Sequence, residues 1–302
     1  MLAPLFALLA SASFASTNIF IRRGTLWVEP TQGVRLTVLL GVPIFALLAT
    51  VFGEMVRLGE IPWQAYLLFG SAGAIHFVLG RSAMYFAIQA IGASRSGVIV
   101  AVAPLFSIVI AVPLFGESFA WTTALGTLLV ILGPILMLQG ETKTDNPGPG
   151  QVGASTAPAQ LTRGMLQALG AALFWGISPI LIKAGLNQAD LPLLGALISY
   201  SVAAIFMGSL LVNRGPRQEF VRMDQRGLQW FFLASLSASL AQFLRYLALS
   251  KGDVILVSLL TQTTVVFVFL MTFLINRDIE ALNSYVIVGG IVVMLGAALI
   301  VS

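Results

Sequence analysis

The sequence has no cysteine and few charged residues. Of its 302 residues, 9% are Asp, Glu, Lys or Arg, whereas a soluble domain averages about a quarter. The absence of cysteine excludes a disulfide-stapled secreted domain and a zinc–thiolate site. The net charge of +4 is spread thinly over the chain, which argues against a nucleic-acid partner.

Apolar residues are abundant instead. They make up 58% of the chain, with a mean hydropathy of +0.96, which excludes a disordered protein. A spanning helix needs about 20 mostly apolar residues, and the runs here are continuous, which favours helices over a barrel. The sequence therefore predicts an all-α integral membrane fold with ten transmembrane helices: Leu2–Ile21, Thr31–Phe52, Pro62–Ile88, Gly97–Phe115, Ala120–Leu138, Gly164–Ala184, Leu191–Val212, Gly227–Leu249, Val254–Ile275 and Asn283–Val301.

The two halves of the chain repeat each other. Six of eighteen positions are identical between Ala7–Gly24 and Ala168–Gly185, which lie 161 residues apart. We interpret residues 1–139 and 164–302 as two copies of a five-helix unit, joined by a flexible polar linker over 140–163. Because five is odd, the second copy enters the membrane from the opposite side. The expected architecture is a pair of inverted repeats, which transporters use widely.

One stretch of the first half and its counterpart carry a family resemblance. Tyr85–Glu117 has an aromatic-small start, a short loop, a helix with the central Pro104, and then Gly-Glu; Tyr246–Asp278 follows it more loosely. This pattern resembles the ten-helix EamA-type members of the drug/metabolite transporter superfamily. The resemblance implies that helices one, three and four of each half line a central cavity, with the fifth helices peripheral.

Two arginines, Arg81 and Arg245, stand well inside predicted spans, whereas Arg35 lies near the start of its span. Gln242, Arg245 and Tyr246 are spaced i, i+3, i+4 and share a helix face; Arg81 and Tyr85 hold the equivalent positions in the first half. Two such faces around one cavity would favour a carboxylate, because Arg is a bidentate donor to planar oxyanions. The alternative is that each arginine bonds to carbonyls of a neighbouring helix or snorkels.

Other polar residues in the spans are candidates for the cavity wall. Trp175, Asn18 and Gln262 complete the predicted binding site, although Gln262 could equally join helices. His76 is the only histidine; on an ideal α-helix it lies about 140° from Arg81. We therefore expect His76 to be a packed, hydrogen-bonded side chain away from the polar face.

No Asp or Glu falls inside a predicted span. Small multidrug resistance proteins, distant relatives in the superfamily that this chain resembles, use a buried Glu to exchange protons for cationic drugs. This chain has no such carboxylate, so facilitated diffusion or another form of exchange fits better. The sequence also lacks nucleophile, phosphate-binding and metal-ligand motifs, so we predict no enzymatic activity, no cofactor and no metal.

These features lead to one functional hypothesis and two alternatives. The first is a secondary transporter of a small polar metabolite, such as an amino acid or organic acid, working by alternating access. The expected partners are this substrate and membrane lipid, with the protein a monomer in a bacterial inner membrane. The alternatives are a flippase for an anionic or sugar-linked lipid, and a non-transporting scaffold.

Two arguments about orientation disagree. Three Lys and Arg residues lie on the side of the chain ends and ten on the other, which places the ends outside the cytoplasm. The family resemblance implies cytoplasmic ends.

Overall fold

In the computed structural model the chain folds into helices that cross the molecule in alternating directions. The structure describes residues 2–91, 93–139, 158–212, 218, 220, 222–275 and 284–301. Within these ranges the α-helices are α1 (Leu2–Gly24), α2 (Pro30–Val51), α3 (Trp63–Gly73), α4 (Arg81–Ile91), α5 (Ala93–Val100), α6 (Ala103–Phe115), α7 (Trp121–Gln139), α8 (Pro158–Gln188), α9 (Pro192–Ser209), α10 (Gln225–Lys251), α11 (Val254–Thr261), α12 (Thr264–Ile275) and α13 (Ser284–Val301). Short 3-10 helices cover Met55–Glu60 and Leu210–Val212, and a π-helix covers Ala74–Gly80.

The helices account for ten membrane spans, as predicted. Six stretches are long and apolar enough to cross a membrane, and four shorter apolar helices complete the set. The third span combines α3, the π-helix and α4; the fourth combines α5 and α6; the ninth combines α11 and α12. The prediction of an all-α integral membrane fold is confirmed.

The packing follows the pseudo-two-fold symmetry of inverted repeats. Helix α1 packs along α10, and the third span packs in the same way along α8. Helix α2 packs on its counterpart α9, and α7 packs on its counterpart α13. The last pair approaches closely: a Cβ atom on Gly126 would lie 2.7 Å from the carbonyl oxygen of Gly296.

Several helix boundaries differ from the apolar runs. Helix α8 begins at Pro158, inside the stretch that composition assigned to the linker, and α5 begins at Ala93 rather than Gly97. Proline is well suited to the first turn of a helix, because the N–H that it lacks has no partner there. Hydropathy marks only the length of chain suited to lipid, whereas a helix continues through polar turns beyond it.

The fourth and ninth spans are broken at equivalent positions. The first break lies at Ala101–Val102, just before Pro104, which cannot donate to the preceding helix. The second lies at Gln262–Thr263, the equivalent position of the second repeat, but without a proline. There the carbonyl of Leu260 accepts hydrogen bonds from the Thr263 hydroxyl at 2.7 Å and from the Thr263 N–H at 3.0 Å.

Candidate functional site

A cluster of polar side chains lies between the third, seventh and eighth spans. Gln242, Arg245 and Tyr246 are 2%, 7% and 2% exposed on the inner face of α10, the face that their spacing predicted. We use the term central cluster for these residues and the neighbours that interact with them: His76, Arg81, Tyr200, Gln242, Arg245 and Tyr246.

His76 belongs to this cluster, and the expectation that it lies away from the polar face was wrong. The π-helix over Ala74–Gly80 forms i→i+5 hydrogen bonds, so residues five apart lie about one turn apart instead of 140° around the axis. His76 accordingly interacts electrostatically with both Arg81 and Arg245. Its Nε2 lies 3.5 Å from Nε2 of Gln242, and its buried Nδ1 has no hydrogen-bond partner among the described residues.

The two arginines of the cluster face no acidic residue in the described part of the chain. Arg81 lies 5.1 Å from the ring centre of Phe77, and its Nη1 is 3.5 Å from the Thr37 hydroxyl, longer than an ordinary hydrogen bond. None of the hydrogen bonds or ion pairs among the described residues uses the guanidinium of Arg245. Arg245 therefore neither snorkels nor bonds to helix carbonyls in the described structure, and its charge remains buried there without a counter-ion.

The seventh span contributes two residues that the sequence analysis did not select. The Tyr246 hydroxyl lies 2.7 Å from the hydroxyl of Ser199, which donates to the carbonyl of Phe69. The neighbouring Tyr200 is 2% exposed and interacts electrostatically with both arginines of the central cluster. A polar Ser-Tyr pair in the middle of an apolar run was the signal that could have found them.

The other predicted site residues have defined positions. The indole of Trp175 donates to the carbonyl of His76 at 3.1 Å, which places it against the π-helix and beside the cluster. The amide nitrogen of Gln262 donates to the carbonyl of Ala101 at 3.2 Å, so this side chain joins the two helix breaks. The side chain of Tyr85 lies outside the described residues.

Asn18 marks a face that changes from buried to exposed along α1. It follows Ser11 by seven residues, or about two turns, and therefore lies on the same face. Ser11 is fully buried, whereas Asn18 is exposed. We call the membrane side where α1 begins the terminal side, and the opposite one the linker side. Along this face, α1 is thus buried at Ser11 and exposed at Asn18, which lies nearer the linker side.

A carboxylate of the first half binds the start of α9 on the terminal side. Glu54 Oε2 accepts hydrogen bonds from the backbone N–H groups of Leu193 and Leu194, both at 3.0 Å. An anion at a helix N-terminus satisfies donors that have no partner within the helix and complements the helix dipole.

Glu117 does the same for α11. Its two carboxylate oxygens accept from the N–H groups of Val254 at 2.6 Å and Ile255 at 2.8 Å. Burial raises the pKa of the Glu117 carboxyl above its ordinary 4.5, although the two backbone donors lower it. Burial likewise raises the pKa of Glu54. Sequence analysis placed both acids outside the predicted spans and assigned them no binding role.

Further contacts close the molecule on this side. The ammonium of Lys183 donates to the carbonyls of Leu249 at 2.9 Å and Gly252 at 3.0 Å, at the end of α10. Many of the apolar residues around these contacts are at most 1% exposed: Leu193, Leu194, Leu249, Val254, Val257, Leu259 and Leu260. Among the described residues, no group of His, Asp and Glu side chains could hold a metal ion.

Comparisons with known proteins agree with this architecture. The sequence model of the EamA-like transporter family matches residues 1–139 and 162–302. A solved protein crystal structure with 18% sequence identity superposes with a TM-score of 0.74, covering 98% of this chain and 95% of that one. At this identity the likeness shows the fold alone. No curated protein matches the chain.

Proposed function

The chain belongs to the EamA-like transporter family, and we propose that it moves a small carboxylate-bearing metabolite by alternating access between its two halves. Family membership makes it a multi-pass membrane transporter of the drug/metabolite type. The proposal adds the chemical class of the substrate and the transport cycle. It also includes function as a monomer in a bacterial inner membrane, with lipid around it.

The buried guanidinium of Arg245 carries the substrate assignment. Arg245 is 7% exposed, and burying a charge inside a membrane protein without a partner is costly. A carboxylate that enters the space between the spans supplies the missing partner and accepts two parallel hydrogen bonds from one guanidinium. Arg81 on the related third span adds a second positive charge to the same space.

The proposed transport cycle is supported by features of both halves. Inverted repeats with broken helices near the middle of the membrane are common in alternating-access transporters. Here the breaks at Ala101–Val102 and Gln262–Thr263 touch through the hydrogen bond of Gln262. The molecule is sealed on the terminal side, whereas Asn18 is exposed toward the linker side. In an alternating-access cycle, this arrangement would be the state that is closed on the terminal side.

Uptake of a metabolite panel into proteoliposomes tests the function. We expect carboxylates to be transported, and Arg245→Ala and Arg81→Ala each to reduce uptake about 10- to 150-fold, the range expected for losing a hydrogen bond to a charged group. Arg57→Ala is the control, because Arg57 lies in the exposed 3-10 helix Met55–Glu60 and pairs with Glu60. Wild-type rates in the two cluster variants would refute the anion site. Arginine-dependent scrambling of a labelled phospholipid, without solute uptake, would support a flippase instead.

A further inference from the structure

The charges around the central cluster are all of one sign. Arg81 and Arg245 both interact electrostatically with His76 and with Tyr200, which places the two guanidinium groups near the same two side chains. No Asp or Glu lies within the membrane-spanning helices that the structure describes. Glu54 and Glu117, the acids that bind the second half, are engaged by the backbone at the starts of α9 and α11 on the terminal side.

We propose that the cargo is a dianion without a cationic group, such as a dicarboxylate, and not an α-amino acid. This inference rests on the proposed function and narrows its substrate class. A singly charged carboxylate would neutralise one guanidinium and leave the other without a counter-ion. A dicarboxylate places one oxyanion against each arginine, so that bidentate hydrogen bonding is available at both ends.

The same charges exclude an ammonium group. A buried cation needs an anionic partner or an aromatic cage, and the cluster already holds two cations. An α-amino acid would bring a third positive charge into a space where the described spans offer no carboxylate. Like charges that share a desolvated site repel each other strongly. The site therefore favours organic acids over their amino analogues.

Neutral polar atoms can bind the remainder of such a cargo. The Oγ of Ser239 and the Nδ1 of His76 are buried and have no hydrogen-bond partner among the described residues. Ser239 lies one turn before Gln242 on the inner face of α10. A dicarboxylate with further oxygen atoms would give these groups the partners that buried polar groups normally have.

Matched ligands test the charge requirement. The probes are succinate, its monoamide succinamate and its amino analogue L-aspartate, together with glutarate and L-glutamate, each titrated against the purified protein. We expect succinate and glutarate to bind at least about tenfold more tightly than either kind of analogue, a difference of about 1.4 kcal/mol. Counterflow in proteoliposomes loaded with each probe should follow the same order.

Variants of the two arginines test whether each one binds a carboxylate of the dianion. Arg81→Gln and Arg245→Gln should each abolish the preference for succinate over succinamate, whereas Arg57→Gln should keep it. If monocarboxylates or amino acids bind as tightly as the dicarboxylates, the proposal of a dianionic cargo is refuted, but the proposed transport of carboxylates is not. If no carboxylate of any kind binds or is transported, the proposed function fails as well. The ligand series on the unmodified protein decides between these outcomes even if both arginine variants misfold.

Discussion

Replacing Glu117 by Gln should loosen the seal on the terminal side. The carboxylate of Glu117 belongs to the first half, and both of its oxygens accept N–H groups at the start of α11 in the second half, at 2.6 and 2.8 Å. Glutamine preserves the size of the side chain and one acceptor oxygen. Its amide NH₂ group, however, meets the second backbone N–H as donor against donor, so one of the two hydrogen bonds is lost.

The size of this effect follows from the bond that is lost. A hydrogen bond to a charged group contributes about 1.5–3 kcal/mol, and Glu117 is only 9% exposed, so solvent replaces little of it while the seal stays closed. In a state open on the terminal side, water satisfies both groups. The substitution should therefore shift the equilibrium between the two states about 10- to 150-fold toward the open one.

A single cysteine can report this shift, because the chain contains no native cysteine. Val257 is fully buried, lies one turn inside the capped start of α11, and is close to cysteine in volume. In a Val257→Cys background, Glu117→Gln should raise the rate of labelling by an impermeant maleimide applied from the terminal side. Glu60→Gln provides the control. Glu60 lies on the same side of the membrane in an exposed ion pair with Arg57, and exposed ion pairs contribute little to stability.

Two outcomes would refute this reasoning. The first is an equal labelling rate in the Val257→Cys protein with and without Glu117→Gln, provided that the two proteins have the same thermal stability. The second is an equal increase in the Glu60→Gln control, because the effect would then come from charge on that surface and not from the bonds to α11.

Two further predictions concern the pH dependence and the packing of the same protein. Burial raises the pKa of Asp190, but hydrogen bonds from Ser250 and Lys251 and the positive charges of Lys251 and Lys183 together outweigh it and leave that pKa below the ordinary 3.8. A depressed carboxyl pKa contributes stability that is present above the unfolded value and is lost as the pH falls through the folded one. The melting temperature in detergent should therefore fall more steeply below about pH 4 in the wild type than in Asp190→Asn. If the melting temperatures of the two proteins fall in parallel with pH, Asp190 does not stabilise the folded state in this way. Separately, Gly73→Ala would place a Cβ atom in steric conflict with the carbonyl oxygen of Ser199, so we expect a loss of about 1–3 kcal/mol in stability from overpacking. Gly59→Ala, where a Cβ meets nothing within 4 Å, should leave the melting temperature unchanged, and equal melting of the two variants would argue against the packing effect.

Much of the fold could be predicted because lipid imposes a simple requirement. Every spanning segment must satisfy its own backbone hydrogen bonds, so ten apolar runs predict ten helices. Because each repeat has an odd number of helices, the second repeat is predicted to have the inverted membrane topology. The inner face of α10 could be predicted for a similar reason, since regular α-helical spacing fixes which residues share a face. Arg245 and Tyr246 are buried where their spacing placed them.

Prediction failed where the helix was not a regular α-helix. His76 was placed away from Arg81 by a rotation of about 100° per residue, and the π-helix over Ala74–Gly80 changes that rotation. The break at Gln262–Thr263 has no proline to signal it. It depends on threonine hydroxyls that bond to the backbone and on the amide of Gln262, which reaches a carbonyl of the other half.

The sequence by itself determined the class of the protein, its duplicated halves and the sign of the charge inside its spans, because hydropathy and residue identity are local properties. Only the tertiary structure decided which residues of different spans meet. Tyr200 interacts with both arginines, and Glu54 and Glu117 bind helices of the other half on the terminal side. These contacts join residues that are more than a hundred positions apart in the chain or depend on how two helices pack together. No local sequence pattern therefore predicts them.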